Sequence, residues 1–148
     1  HPGRYQAAPF EILDVLAEAG ADISRVIVSH LERTIAGPDA FIELARTGCC
    51  LEFDLFGWET SNYPYSEMDM ISDAQRMDLI QRLIEEGYSS QIVVAHDICT
   101  KHRTTKYGGH GHAHILENIV PRMRSRSIDE ANIQAILVST PARLLALV

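Results

Sequence analysis

Apolar positions along this chain switch repeatedly between helical and extended spacing. Over residues 10–19, Ile12, Leu13, Val15, Leu16 and Ala19 fall on one helical stripe, with Pro9 ahead and Gly20 behind. A β-branched run at 25–29 then ends at His30, and a second helix is expected over 38–47, between Pro38 and Gly48. Residues 49–53 read as a second strand ending at Asp54, followed by a polar and aromatic loop over 55–71. Ser72 or Asp73 caps a third helix that runs to residue 86 and stops at Gly87. A third strand at 91–95 ends at His96-Asp97, and a second long loop carries residues 99–111. Helices are expected over 112–123, interrupted by Pro121, and then over 128–137 and 141–147.

Strand and helix therefore alternate. Short, nearly all-apolar strands point to burial on both faces and hence to a parallel sheet. The alternation fits a doubly wound sheet or a (β/α)8 barrel, and in both the C-terminal strand ends carry the chemistry. Here those ends hold His30, Asp54 and His96-Asp97.

Composition narrows the function classes. The chain has 148 residues, 46% of them hydrophobic, too many for a disordered segment. A net charge of −7 argues against a nucleic-acid partner. No apolar run is long enough to span a bilayer, so no membrane partner is expected. Three cysteines, two of them adjacent, suit a reducing, cytoplasmic setting better than a disulfide framework. The opening His1-Pro2-Gly3-Arg4 has no initiator Met and reads as cut from something longer.

Imidazole and carboxylate groups at strand ends suit Zn²⁺ and similar ions. His1, His30 and Asp97 are candidate ligands that converge if the strands close into a barrel. Otherwise His30 is a hydrogen-bonded loop histidine and Asp97 caps a turn.

Several pieces in order carry a family resemblance. They are His1-Pro2-Gly3-Arg4, Ile27-Val28-Ser29-His30, Val94-Ala95-His96-Asp97 and Thr140-Pro141-Ala142-Arg143-Leu144-Leu145. Together they resemble the C-terminal half of the phosphotriesterase family of the amidohydrolase superfamily. Leu51-Glu52-Phe53-Asp54-Leu55-Phe56-Gly57 and Lys106-Tyr107-Gly108-Gly109-His110-Gly111 resemble its phosphotriesterase-related branch.

The resemblance implies α/β architecture: the C-terminal half of a (β/α)8 barrel, strands six to eight with the tip of the fifth, within one hydrolase barrel over 1–148. It also implies a centre of two divalent metal ions, zinc foremost. His1 maps to the ligand ending the fifth strand, His30 to that of the sixth and Asp97 to that of the eighth. Asp97 is then the catalytic base as well, and the other ligands belong to strands outside this chain. Phosphotriesterases proper place an Asp and a His where this chain has Arg33 and Leu55. Hydrolysis of an amide or ester of a small anionic substrate, such as an N-acyl amino acid, an N-acyltaurine or a lactone, is therefore expected ahead of organophosphate hydrolysis. A homodimer of the full-length protein is the candidate assembly, and this chain alone is expected to be inactive.

Arg33, Lys106 and His110 are the candidate substrate contacts: Arg33 as a mouth residue able to pair with an anionic group, His110 in a loop that lines the mouth, and Lys106 because Lys101, His102, Arg103 and Lys106 make that last loop basic within an acidic chain. A non-catalytic binding module using that loop is the rival reading. The run His110-Gly111-His112-Ala113-His114 sits at a helix start rather than a strand end, so it is not read as a ligand set. His96 is expected to support its neighbours and Cys49 and Cys50 to be buried, while Trp58, Tyr63 and Tyr65 either wall the mouth or are buried within their own loop.

Overall fold

The computed structural model describes residues 1–60, 62–65 and 68–146. Helix α1 (Ala8–Glu18) precedes strand β1 (Ile27–Val28), followed by α2 (Pro38–Arg46) and β2 (Cys50–Phe53). Next come α3 (Asp73–Glu85), β3 (Ile92–Val94) and three short α-helices: α4 (Val120–Ser125), α5 (Glu130–Gln134) and α6 (Thr140–Leu145). The expected last turn at residue 147 lies outside the described residues. No helix among the described residues is long and apolar enough to cross a membrane.

Local chemistry sets the boundaries. Pro9 and Pro38 occupy first turns, where a missing N–H costs nothing. Ser72 starts α3 with a capping box: its hydroxyl accepts from Gln75 N–H, while the Gln75 side chain accepts from Ser72 N–H at 2.8 Å.

The last two helical regions differ from expectation. Pro121 does not break its helix, and the helices expected at 128–137 and 141–147 are one rod. In each case a π-helical turn, Ile115–Ile119 or Ala135–Ser139, leads directly into α4 or α6. In a regular α-helix the proline ring would strike the carbonyl four residues back. Widening the turn moves that carbonyl away, and Val120 N–H bonds Ile115 C=O while Thr140 N–H bonds Ala135 C=O.

The three strands are parallel in the order β1-β2-β3, with Val28 opposite Leu51 and Leu51 opposite Ile92. Val28, Leu51, Phe53 and Ile92 point into the main core, against Phe41 and Leu44 of α2, Met77, Ile80 and Leu83 of α3, and Ile119 and Met123. Phe41 and Phe53 stack at 5.3 Å. On the other face Cys50 and Val93 pack with Ile27 and Leu144 of α6. This two-sided burial is what the apolar strands led one to expect. It also aligns the strand ends, so that Ser29-His30, Asp54 and His96-Asp97 leave the sheet at one rim.

Candidate functional site at the strand ends

Two non-glycine residues on that rim have left-handed backbone, His30 (φ 57) and Asp97 (φ 45). Such a conformation costs about 1–3 kcal/mol and persists only where surrounding contacts hold it. Those contacts are present. His30 N–H donates to Asp54 Oδ1 at 3.0 Å, and the Thr34 hydroxyl donates to His30 C=O at 2.7 Å. The His30 ring lies with Nδ1 2.7 Å from Asp54 Oδ2, close but off the line of a hydrogen bond. Asp54 is itself buried, so one carboxylate fixes both the backbone and the ring of His30. His1 completes a pair, its ring edge-on to His30 at 4.3 Å between centroids.

Arg33 follows on the turn after β1. The residue is only 4% exposed, and its Nη2 lies 3.3 Å from His1 Nε2. A guanidinium has only donors, so His1 Nε2 accepts and carries a lone pair. Arg33 Nη1 is buried without a partner among the described residues. Burial pulls the Arg33 guanidinium below its usual range, and the charge of Arg4 adds to this, while Tyr63, Asp54 and Asp97 oppose it. Arg4 reaches across to donate from Nε to Tyr63 Oη at 3.0 Å and lies over the Tyr65 ring. Asp97 acts electrostatically on Arg33 and Glu52, and its carbonyl accepts from Arg103 Nη1 at 2.9 Å.

Beneath the rim runs a buried polar chain. Arg76 is fully buried and donates to Glu32 Oε1 at 3.2 Å, Asp73 Oδ1 at 2.8 Å and Trp58 C=O at 2.9 Å. Burial and the neighbouring Asp54 charge push Glu32 up to about 7, against the opposing pull of Arg76. Asp73 Oδ2 meets His114 Nε2 at 2.7 Å. Burial would raise the Asp73 carboxyl, but hydrogen bonds from Gly57 N–H and His114 and the Arg76 charge hold it below the usual range.

His96 accepts from Ile115 N–H at 3.1 Å and stacks on His110. Burial first, then the charges of His110, His114 and His112, push its imidazole down to about 4. His110 lies against Gly57 (φ +82), where an added Cβ would come within 2.4 Å of the imidazole, so only glycine fits there. His110 also lines a cavity of about 280 Å³ with Trp58, Thr60, His102 and Arg103, the last stacked on the Trp58 ring at 3.2 Å.

Parallel strands, a loaded rim and this order of pieces set up the comparison with known proteins. The model of the phosphotriesterase family matches residues 1–145. The chain belongs to the phosphotriesterase family. It is 52% identical over its whole length to a protein of Dictyostelium discoideum named N-acetyltaurine hydrolase, of which it covers 40%. It is similar to a resiniferatoxin-binding protein from Rhodobacter sphaeroides at a TM-score of 0.89 and 29% identity, over 97% of this chain and 40% of that one. A phosphotriesterase homology protein of Escherichia coli shares the fold at a TM-score of 0.78 and 21% identity, over 95% of this chain and 45% of that one. The chain thus spans about 40% of the length of the curated relatives it matches. Its three strands form part of the family's (β/α)8 barrel, with the rim at the C-terminal mouth.

The residues singled out in the sequence are distributed as follows. His1 and His30 meet, and Arg33 joins them. Asp97 shares the rim, although among the described residues no three His, Cys, Asp or Glu side chains gather as a metal-binding group. The donor chemistry suits a divalent ion: two neighbouring imidazoles, one of them with the Asp54 carboxylate 2.7 Å from its Nδ1. Leu55 is fully buried and offers the mouth no polar group. Lys106 sits by the exposed ring of Tyr107, with Nζ 5.8 Å from its centroid. His112 lies apart from the pair, and His114 serves Asp73. Tyr63 is buried with Leu55 and Met70, whereas Tyr65 is exposed.

Sequence reasoning missed the Asp54 clamp, the Arg4–Tyr63 contact and the Glu32–Arg76–Asp73 chain. Asp54 carried a faint signal as a polar residue at a strand end.

Proposed function

We propose that this chain forms part of a metal-dependent hydrolase acting on the amide bond of a small N-acylated acid, with N-acyltaurines the leading substrate class. The observation that carries it is the His1–His30 pair with Asp54 fixed behind His30, in a chain about half identical to a protein named N-acetyltaurine hydrolase. His1, His30 and Asp97 would hold the ion, zinc foremost, together with groups from other strands of the barrel. A divalent ion bound there supplies hydroxide at neutral pH and polarises the scissile carbonyl.

The chain's own residues do the rest. Asp97 takes the proton from the attacking water and passes it to the departing amine nitrogen. Asp54 keeps the His30 ring in one orientation, so no reorganisation is needed during turnover. Arg33 and Leu55, standing where phosphotriesterases proper carry a proton-relaying Asp and His, favour the amide over a phosphotriester.

In the full-length protein carrying this segment, acetate release from N-acetyltaurine tests the reading. Asp97→Asn should lower kcat by roughly 10²–10⁴-fold with an unchanged far-UV spectrum. Chelation should abolish turnover and zinc should restore it. Wild-type rates in Asp97→Asn, or turnover indifferent to chelation, would refute the assignment.

A further inference from the structure

We propose that Arg33, Arg4 and Tyr63 form an anion subsite beside His1 that holds the sulfonate or carboxylate end of the substrate and selects for a short linker between that charge and the scissile bond. The inference rests on the hydrolase reading above and deepens it, because it joins Arg4 and Tyr63 to Arg33 as the groups that hold the substrate's charge.

Three observations support it. First, Arg33 is 4% exposed and yet its Nη1 is buried without a partner among the described residues. A buried, unpaired donor on a charged group costs more than a neutral one, so an anion placed there gains a charge-assisted hydrogen bond. Second, the structure brings another guanidinium, Arg4, into repulsive range of the first, anchored on Tyr63 Oη at 3.0 Å. Tyr63 accepts from Arg4 through its oxygen and so keeps its own proton to donate. Third, among the described residues neither carboxylate that acts on Arg33 pairs with it by contact. Asp54 is committed to His30, and Asp97 acts on Arg33 through its charge.

Two cations and a hydroxyl, drawn from the opening segment, the turn after β1 and the loop after β2, therefore lie together with no contacting carboxylate among the described residues. A guanidinium fork matches two oxygens of a sulfonate or carboxylate. Were His1 to help hold a metal ion, Arg33 Nη2 would be freed from it, and both guanidinium nitrogens would be open to the anion. Because Arg33 touches His1 at 3.3 Å, a charge held there would lie a few atoms from a carbonyl bound at the His1–His30 pair. Lys101 and Lys106, by contrast, both lie against the exposed ring of Tyr107.

The test uses the full-length protein and two substrates of equal length, an N-acetyl aminoalkanesulfonate and the neutral N-acetyl alkylamine. The readout is the ratio of their kcat/KM values. Arg33→Met should lower this preference by about 10–100-fold, mainly through KM, as expected for losing hydrogen bonds to a charged group. Arg33→Lys should recover part of it. Arg4→Met, at an exposed position, should lower it less, and lengthening the linker should erode it in the wild type.

If both substrates lose equally in Arg33→Met and Arg4→Met, the residues are structural and the subsite is overturned, while wild-type turnover keeps the hydrolase reading intact. If the wild type hydrolyses neither substrate, the hydrolase reading fails and a direct titration decides the subsite. Ethanesulfonate added to the zinc-loaded full-length protein labelled at arginine Nε should then shift the Arg33 and Arg4 signals together. No shift at tens of millimolar would overturn the proposal.

Discussion

Single residues on this rim are understood through what fixes them. His30 and Asp97 carry left-handed backbone at strand ends, and His30 is held there by Asp54 and Thr34. His30 was legible in the sequence as a polar residue closing an apolar run. Its clamp was not, because Asp54 lies 24 residues away and meets it only once β1 and β2 pair. The cysteines show the opposite case. Their apolar neighbours already implied burial for Cys49 and Cys50, and burial, with the neighbouring Cys49, pushes the Cys50 thiol up to about 12. Cys99 is exposed. A disulfide-exchange reagent should therefore label one thiol per folded chain and three after denaturation, with Cys99→Ser abolishing the native signal. Prompt labelling of two or more thiols in the native state would contradict the burial.

At the level of elements, α3 is tied to the turn after β1 by Arg76. Its guanidinium joins Glu32 to Asp73 and also holds Trp58 C=O. In the sequence Glu32 and Arg76 look like ordinary solvated charges, since a helix face or loop of mixed charge is normally outside. Only the packing of α3 on the sheet reveals that both are fully enclosed. Arg76→Met should cost about 3–5 kcal/mol in urea unfolding, because two carboxylates are left in the interior without their cation. Adding Glu32→Gln should recover part of that loss; a cost near zero would mean the pair is solvated. The helices after residue 112 teach a related lesson. Proline marks a fault in the helical ladder, but whether the fault becomes a break or a π-turn depends on neighbours that hold the rod in place, here Ile119, Met123 and Ile136 in the main core.

Across the whole molecule, two buried titrations oppose each other. His96 is lowered from 6.5 to about 4, so the fold binds its proton more weakly than the unfolded chain does. Its stabilising contribution is present above pH 6.5 and is lost as pH falls towards 4. Glu32 is raised from 4.5 to about 7, so its contribution is present below pH 4.5 and is lost as pH rises through 7. Between pH 7 and 4.5 the two largely cancel. His96→Asn should therefore make the chain gain stability on acidification relative to wild type, and Glu32→Gln should make it lose stability. Each difference should be on the order of 1–2 kcal/mol, below full linkage for the half-buried His96 because solvent screens its charge. Parallel stability curves for wild type and both variants, from denaturant unfolding across this pH range, would refute the account.

By itself the sequence determined the parallel βα order, the helix starts at Pro9, Pro38 and Ser72-Asp73, the two-sided burial of the strands, and the placing of His30, Asp54 and Asp97 at strand ends. These follow from periodicity and local hydrogen bonding, which act over a few residues. The tertiary structure alone decided which of those ends meet and what surrounds them: His1 against His30, Asp54 behind the ring, Arg33 enclosed with an open donor, and Arg4 brought round to Tyr63. Those contacts join residues 24 to 59 positions apart. Sheet pairing and closure of the core create them, and no local pattern along the chain encodes such an encounter.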